Sequence, residues 1–351
     1  MVEETPQKRA SLLDVANRAG VAKSVASRVL NGRTTISVRP ETRTRIFEAA
    51  QALRYTPHAA AQALANATTE VLALLIPDVT NPVYARILRG AVARAEERGY
   101  VVLLAEETGD AALLQRYPDL VTSGRATGLI IGSTGPSPDV SRASALASVP
   151  HVFVNRSVRG SNCNVTIDMR AVAAQAVQHL SALGHRRLAH LAGPRLVPTS
   201  VERHHGFLDA VVDAGLPSPV VVHGDFTEAG GESAAQELIA LGLPATGVFV
   251  GTYRQAVGAL YGFREAGIQV PGDLSLICSD ETPSAAFLHP SLTTLDLPFD
   301  ELGAAAVDAV VAQIRGEATH DIVLRPAEAV IHRGSTRPLL TSHEGAAAPR
   351  P

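Results

Sequence analysis

Tryptophan is absent from this 351-residue chain, and cysteine and lysine occur twice each, as Cys163, Cys278, Lys8 and Lys23. Two cysteines without a C-x-x-C pair exclude a disulfide scaffold and cysteine-based zinc or redox centres. With lysine confined to the first 23 residues, chemistry that needs a P-loop or Schiff-base lysine in a large core is excluded as well. The histidines do not make up for this. His204-His205 has no H-E-x-x-H partner, and His179, His185 and His190 read as surface or packing residues. No Gly-rich dinucleotide loop, G-x-S-x-G elbow or Ser/His/Asp order occurs, so an enzyme reading has no constellation to rest on, and neither cofactor nor metal is expected. No apolar run approaches the roughly 18 to 20 residues that span a bilayer, and Met1 to Ala10 is charged, without the apolar stretch of a signal peptide. The expectation is a soluble cytoplasmic protein.

What is present is a large apolar fraction, 46%, against 19% charged residues, the balance of a chain that folds around a substantial core. Its length exceeds what one core serves, which points to two or three domains, one of them small. The net charge of −3 hides a division. Residues 1–67 carry ten Lys/Arg against five Asp/Glu, or +5, and the remainder carries 21 against 29, or −8. A basic module on an acidic body points to a polyanionic partner for the module and a separate task for the body.

The basic module reads as three short helices. Ser11-Leu12-Leu13-Asp14 has the S-x-x-D spacing of a capping box, and Leu12, Val15, Ala16 and Ala19 form an apolar face that Gly20 ends. A second helix from Ala22 to about Leu30 turns Val25, Ala26 and Val29 inward and leaves Lys23, Ser24, Ser27 and Arg28 outward. Helix, short Gly-containing turn, helix is the helix-turn-helix arrangement, whose second helix can enter a major groove. Pro40 starts a third helix with Ile46, Ala49, Ala50 and Leu53 as its inward stripe.

From Val71 the pattern changes to short continuous apolar runs separated by helical stretches: 71–76, 100–105, 128–131, 151–154, 188–192, 220–222, 247–250 and 274–278. Runs that do not alternate suit strands covered on both faces, hence parallel sheets. Eight such units divide into two doubly wound subdomains with a ligand cleft beyond the carboxyl ends of their strands.

The motif D-V-A-x-x-A-G-V-x-x-x-x-x-S-R-V-L-N-G, Asp14 to Gly32, resembles the DNA-binding head of the lactose/galactose repressor (LacI/GalR) family. The resemblance continues through Glu41-Thr42-Arg43 and Tyr55-x-Pro57 into Ala61 and Leu64, and then with gaps to about Gly334. It implies base contacts by Lys23, Ser24 and Arg28, with a phosphate clamp as the alternative role for Arg28. Ser11, Ser27, Asn31, Thr35 and Arg43 suit contacts to the DNA phosphates or backbone, with a solvated surface as the alternative. The segment from His58 to Asn66, with Ala61 and Gln62, is implied to be a hinge helix that folds on binding, pairs with its twin and inserts Leu64 into the minor groove; packing of Leu64 on the body is the alternative. Ala22 departs from the serine usual at the start of the recognition helix, His58 from an asparagine in the hinge, and the loop from Arg33 to Ser37 is longer by two residues.

In the body the resemblance implies a form like a periplasmic sugar-binding protein and effector contacts from Tyr84, Arg156, Asp168, Arg203 and Asp280. Phe226 is a candidate for stacking on a ligand. Asp168 as a helix cap, Arg203 as an interlobe salt bridge and Phe226 as core are the alternatives. Thr252-Tyr253 stands where the family commonly has Asn-Asp, so a carboxylate is lost from the cleft and a phenol gained. The chain is thus expected to have a small all-α helix-turn-helix head, 1–57, a hinge, 58–68, and an α/β body, 69–334, with lobes roughly 69–160 plus 292–320 and 161–291 plus 321–334. A disordered tail, 335–351, is expected to follow. The expected function is that of a homodimeric repressor, cytoplasmic and associated with the bacterial nucleoid, that binds a double-stranded, pseudo-palindromic DNA operator and is released by a carbohydrate-like effector. A cytoplasmic sugar-binding receptor without DNA-linked function is the alternative.

Overall fold

The computed structural model describes residues 10–30, 38–53, 70–106, 111–132, 146 and 148–339, with backbone alone for 111–116. It divides into two compact units, 1–69 and 70–351. In the first, α1 (Leu12–Ala19), α2 (Lys23–Leu30) and α3 (Pro40–Ala52) enclose a small core of Val15, Ala16, Ala19, Ala26, Val29, Ile46, Ala49 and Ala50. The capping box forms as the spacing predicts: the Asp14 amide donates to Ser11 Oγ at 3.3 Å, and the Ser11 amide donates to Asp14 Oδ2 at 2.7 Å. Gly20 closes α1 at φ 65°. The amides of Val25 and Ala26 bond the Ala22 carbonyl at 2.9 and 3.1 Å, so α2 begins on that carbonyl. Among the described residues no transmembrane-length apolar helix occurs.

The second unit contains two six-stranded sheets. β1 (Val71–Ile76), β2 (Val101–Glu106), β3 (Gly128–Ile131), β4 (His151–Val154), β5 (Asn164–Ile167) and β11 (Ile322–Leu324) form an all-parallel sheet in the order β11-β5-β4-β3-β1-β2. β6 (Leu188–Ala192), β7 (Val220–His223), β8 (Gly247–Val250), β9 (Ser275–Ser279), β10 (Thr293–Leu295) and β12 (Val330–Ile331) form the other in the order β12-β10-β9-β8-β6-β7, parallel except for β12 against β10. β1, β3, β6, β8 and β9 are covered on both faces, which is why they read as unbroken apolar runs. Helices fill the crossovers: α4 (Pro82–Glu97), α5 (Ala111–Thr122), α6 (Met169–Ala182), α7 (Pro198–Asp213), α8 (Glu228–Ala240), α9 (Tyr253–Glu265) and α10 (Phe299–Ile314).

The structure moves the lobe boundaries. β5 belongs to the first sheet although 161–291 was expected in the second lobe, β10 belongs to the second sheet although 292–320 was expected in the first, and β11 belongs to the first although 321–334 was expected in the second. These strands are three or four residues long, and backbone pairing rather than apolar patterning decides their sheet. The tail boundary shifts too. Ser335 and Thr336 are buried, and Ser335 Oγ donates to the Leu276 carbonyl at 2.6 Å while accepting the Thr293 amide at 2.8 Å, so the body extends through Leu339. Residues 340–351 lie outside the described residues. Both cysteines are buried and free.

Candidate functional sites

On α2, Lys23, Ser24 and Arg28 are exposed and Ser27 half-buried, while Ala26 and Val29 face the core. Positions 23, 24, 27 and 28 share one helical face, so the polar face stands opposite the packed one. Ser11 is the N-cap of α1, and Arg43 is exposed on α3. Asn31, Thr35, His58, Ala61, Gln62 and Leu64 lie outside the described residues.

In the body, the carboxyl ends of strands from both sheets converge on one cavity of about 80 Å³. Six of the eight expected effector residues line it: Tyr84, Arg156, Arg203, Phe226, Thr252 and Asp280. Asn81 caps α4 by accepting the Val83 amide at 3.1 Å, which sets Tyr84 on the first turn; its hydroxyl donates to the Gly132 carbonyl at 3.2 Å. Phe226 lies against Gly193, where a Cβ would come within 2.1 Å of the ring. Thr252 caps α9, its Oγ1 accepting the Gln255 amide at 3.3 Å.

Two expected residues are elsewhere. Asp168 is the N-cap of α6, accepting the Ala171 amide at 3.0 Å, and does not line the cavity. Tyr253 directs its ring toward the core of the second sheet while its amide donates to the Asp280 carboxylate. Residues that sequence reasoning did not single out also line the cavity, among them Met169, Val197, Thr199 and Phe299. Thr199 sits one residue after the Pro198 that opens α7, and this helix start is the local signal that marks it.

Asn155, after β4, and Asp280, after β9, have φ of 57° and 71°. Asn and Asp tolerate this left-handed region best among residues with a Cβ, and such strain collects at ligand sites. Arg203 is 4% exposed on α7. One turn further, Gly206 allows α7 to approach α6 so closely that a Cβ would lie 2.4 Å from the Arg170 Cα. This approach seats Arg203 against Met169, with Nη2 3.3 Å from the thioether sulfur. Its Nε and Nη1, and Asp280 Oδ1, have no hydrogen-bond partner among the described residues. Burial pushes the Asp280 carboxyl up to about 6, opposed by the nearby Arg203 charge.

Arg254 ties the lobes together. It donates to Asp78 Oδ2 of the first lobe at 2.6 Å and to both carboxylate oxygens of Glu228, a bridge across the cleft that local patterning does not reveal. His185 and His190 are buried packing residues. His190 Nδ1 is 3.0 Å from the Phe249 carbonyl and burial brings its pKa down to about 3. Among the described residues, no group of three His, Cys, Asp or Glu side chains is arranged for a metal.

Comparison with known proteins matches this arrangement. Residues 11–58 match the family described as bacterial regulatory proteins, lacI family, and residues 177–336 match a periplasmic binding protein-like domain. The ribose operon repressor of Escherichia coli K12 is 32% identical over 333 residues, covering 93% of this chain and 99% of that one. A lac repressor dimer bound to operator and the anti-inducer ONPF superposes with a TM-score of 0.83 at 26% identity, covering 94% of this chain and 100% of that one. A complex of the transcriptional regulator CelR with cellobiose gives 0.69 at 28% identity, covering 93% and 100%. The chain belongs to the LacI family. It is a DNA-binding transcriptional regulator with a helix-turn-helix head and a periplasmic-binding-protein-like body.

Proposed function

We propose that the protein is a homodimeric repressor, acting in the cytoplasm on the nucleoid, that binds a pseudo-palindromic operator through two heads and leaves it when a small molecule occupies the cleft. The observation that carries this reading is the exposed face of α2, where Lys23, Ser24 and Arg28 are presented by a packed three-helix head. Arg can pair bidentately with guanine, and a symmetric operator mirrors a two-fold protein. Ser11, Ser27, Asn31, Thr35 and Arg43 hold the phosphates. The hinge segment 58–68, with His58, Ala61, Gln62 and Leu64, supplies the minor-groove contact, Leu64 as the wedge.

In the body, effector contacts fall to the six cavity residues, and Asp168 and Tyr253 act through helix capping and the Asp280 carboxylate. Support for a carbohydrate-like effector comes from the bound cellobiose of the CelR complex and from the buried hydrogen-bonding groups of the cleft. Coupling of about 1 to 3 kcal/mol between cleft and hinge would change operator affinity 5- to 150-fold.

Selection of bound duplexes from a random pool, followed by anisotropy titration over a range of salt, tests the reading. An inverted-repeat consensus bound at about 10⁻⁸ to 10⁻¹¹ M with a steep salt slope supports it. Absence of enrichment contradicts it and leaves a ligand receptor. Leu64→Ala should weaken the selected duplex more than a random one; equal loss on both removes the wedge role.

A further inference from the structure

At the amino ends of β4 and β5, away from the cleft, the first sheet borders a groove of about 510 Å³ that is lined by Cys163 and His151 and has Ser148, Asn162, Glu317 and Thr319 in its walls. The missing C-x-x-C pair excludes a dithiol centre but not one thiol beside a base. Here the sheet brings together two residues 12 positions apart, with Cys163 Sγ 3.6 Å from His151 Nε2. His151 Nδ1 is 2.9 Å from the Val149 carbonyl. A carbonyl can only accept, so Nδ1 holds the ring proton and Nε2 turns its lone pair to the sulfur. Gln313 of α10 fixes this strand end, accepting the His151 amide at 2.9 Å and donating to the His151 carbonyl. On the other side of the thiol, Ser161 Oγ accepts the Cys163 amide at 3.3 Å and lies 2.8 Å from Sγ, which leaves its own proton for the sulfur.

A nucleophile, a base within reach of it and a third group that orients the base make up the arrangement of an activated side chain. A thiol that merely fills space needs none of these. We propose that Cys163 is a thiol-exchange site that takes a hydrophilic low-molecular-weight disulfide from the groove and forms a mixed disulfide with it, His151 serving as general base. The partner sulfur comes from outside the chain, because Cys278, the other cysteine, is fully buried in β9 of the second sheet. The groove has the volume of a small-molecule site, and its polar walls suit a peptide-like or sugar-like thiol compound.

Burial and the Asp321 carboxylate push the Cys163 thiol up, against the opposing bond from Ser161, so at rest the sulfur keeps its proton and the base acts on encounter. When a disulfide R–S–S–R comes into line, the thiol proton passes to His151 Nε2 as Sγ attacks the nearer sulfur. The new S–S bond forms, the old one breaks, and the leaving thiolate takes the proton from the imidazolium. The products are Cys163–S–S–R and R–SH, with the Cys163 sulfur oxidised and the leaving sulfur reduced. The Ser161 hydroxyl donates to Sγ while it carries negative charge. β1, β3 and β4 are parallel, and His151 is in register with Leu129 and, through it, with Ala73. The adduct therefore sits at the end of the sheet where β1 receives the chain from the DNA-binding head.

Incubation of the native full chain with oxidised glutathione at pH 7, followed by intact mass and peptide mapping, tests this, with the chain unfolded in guanidinium as the reference. The expected result is one glutathionyl group per native chain, on Cys163 and not on Cys278, formed faster than on Cys163 of the unfolded chain even though the native residue is 6% exposed. A buried thiol without a base is inert and shows the reverse order. Cys163→Ser takes up nothing, and His151→Gln slows the exchange by about 100-fold. Slower reaction in the native than in the unfolded chain, an adduct on Cys278, or a His151→Gln chain as fast as the parent overturns the proposal. Hydrogen peroxide tried in parallel separates exchange from simple oxidation: a native Cys163 that peroxide oxidises while glutathione disulfide leaves it untouched also overturns it. The comparison of native and unfolded chains needs no substitution, so it decides the matter even where His151→Gln fails to fold.

Discussion

Arginine does opposite work in the two units of this protein. On α2 and α3, Arg28 and Arg43 are exposed, and on the proposed reading they meet DNA by long-range attraction that salt weakens. In the body, Arg203 is buried beside a thioether with two nitrogens that have no partner among the described residues, so its attraction acts over a few ångströms and is screened little by salt. An exposed cation loses little by waiting in water for its partner. A buried one destabilises the empty protein, and that cost becomes affinity when a ligand supplies the hydrogen-bond acceptors it lacks.

Several substitutions sharpen or break this contrast. Arg203→Ala should have the largest effect, a loss of about 2 to 5 kcal/mol in cleft-ligand affinity by calorimetry, with operator affinity in the absence of ligand unchanged. A mutant that kept its ligand affinity would show that the buried charge is structural.

Next is Asp280→Asn. The folded carboxyl lies at about 6, above its ordinary value of 3.8. The folded state therefore holds this proton more tightly than the unfolded state does, and stability from this group is full below pH 4 and lost as pH rises to 6. Denaturant titrations should find Asp280→Asn more stable than the parent by on the order of 2 to 3 kcal/mol above pH 6, and equal to it near pH 4. Parallel curves across that range would contradict the burial argument.

Arg28→Ala should cost about 1 to 3 kcal/mol on the selected operator and relax the sequence at one position. Arg43→Ala should instead weaken all duplexes alike and lower the salt slope by about one. Swapped phenotypes would exchange their base and phosphate roles. Ser11→Ala, the smallest change, should cost about 1 kcal/mol by removing the cap, seen as a lower melting temperature of the head and weaker binding to every duplex.

What could be read without coordinates was local. The Ser11/Asp14 box, the Gly20 stop, the Pro40 start and the eight apolar runs each lie within a few residues and map onto elements nearly residue for residue. β5, β10, β11 and β12 are too short and too mixed in composition to stand out, so the lobe crossings shifted. Tyr84, Arg156, Arg203, Phe226, Thr252 and Asp280 could be named in advance, five of them with the help of the family resemblance, but not their state. The lack of partners for Arg203 among the described residues, the positive φ of Asn155 and Asp280, and the reach of Arg254 to a carboxylate 176 positions away depend on how separate strand ends meet. Asp168 shows the converse: a residue at a strand-to-helix step is a cap before it is a ligand contact.

The division of labour is tested most directly by titrating a selected operator with the parent chain, Arg28→Ala and Arg203→Ala, each with and without a carbohydrate-like ligand that binds the parent. The account predicts that Arg28→Ala binds the operator weakly in both conditions, and that Arg203→Ala binds as the parent does without ligand but no longer responds to it. An Arg203→Ala protein that the same ligand still releases from the operator would contradict it.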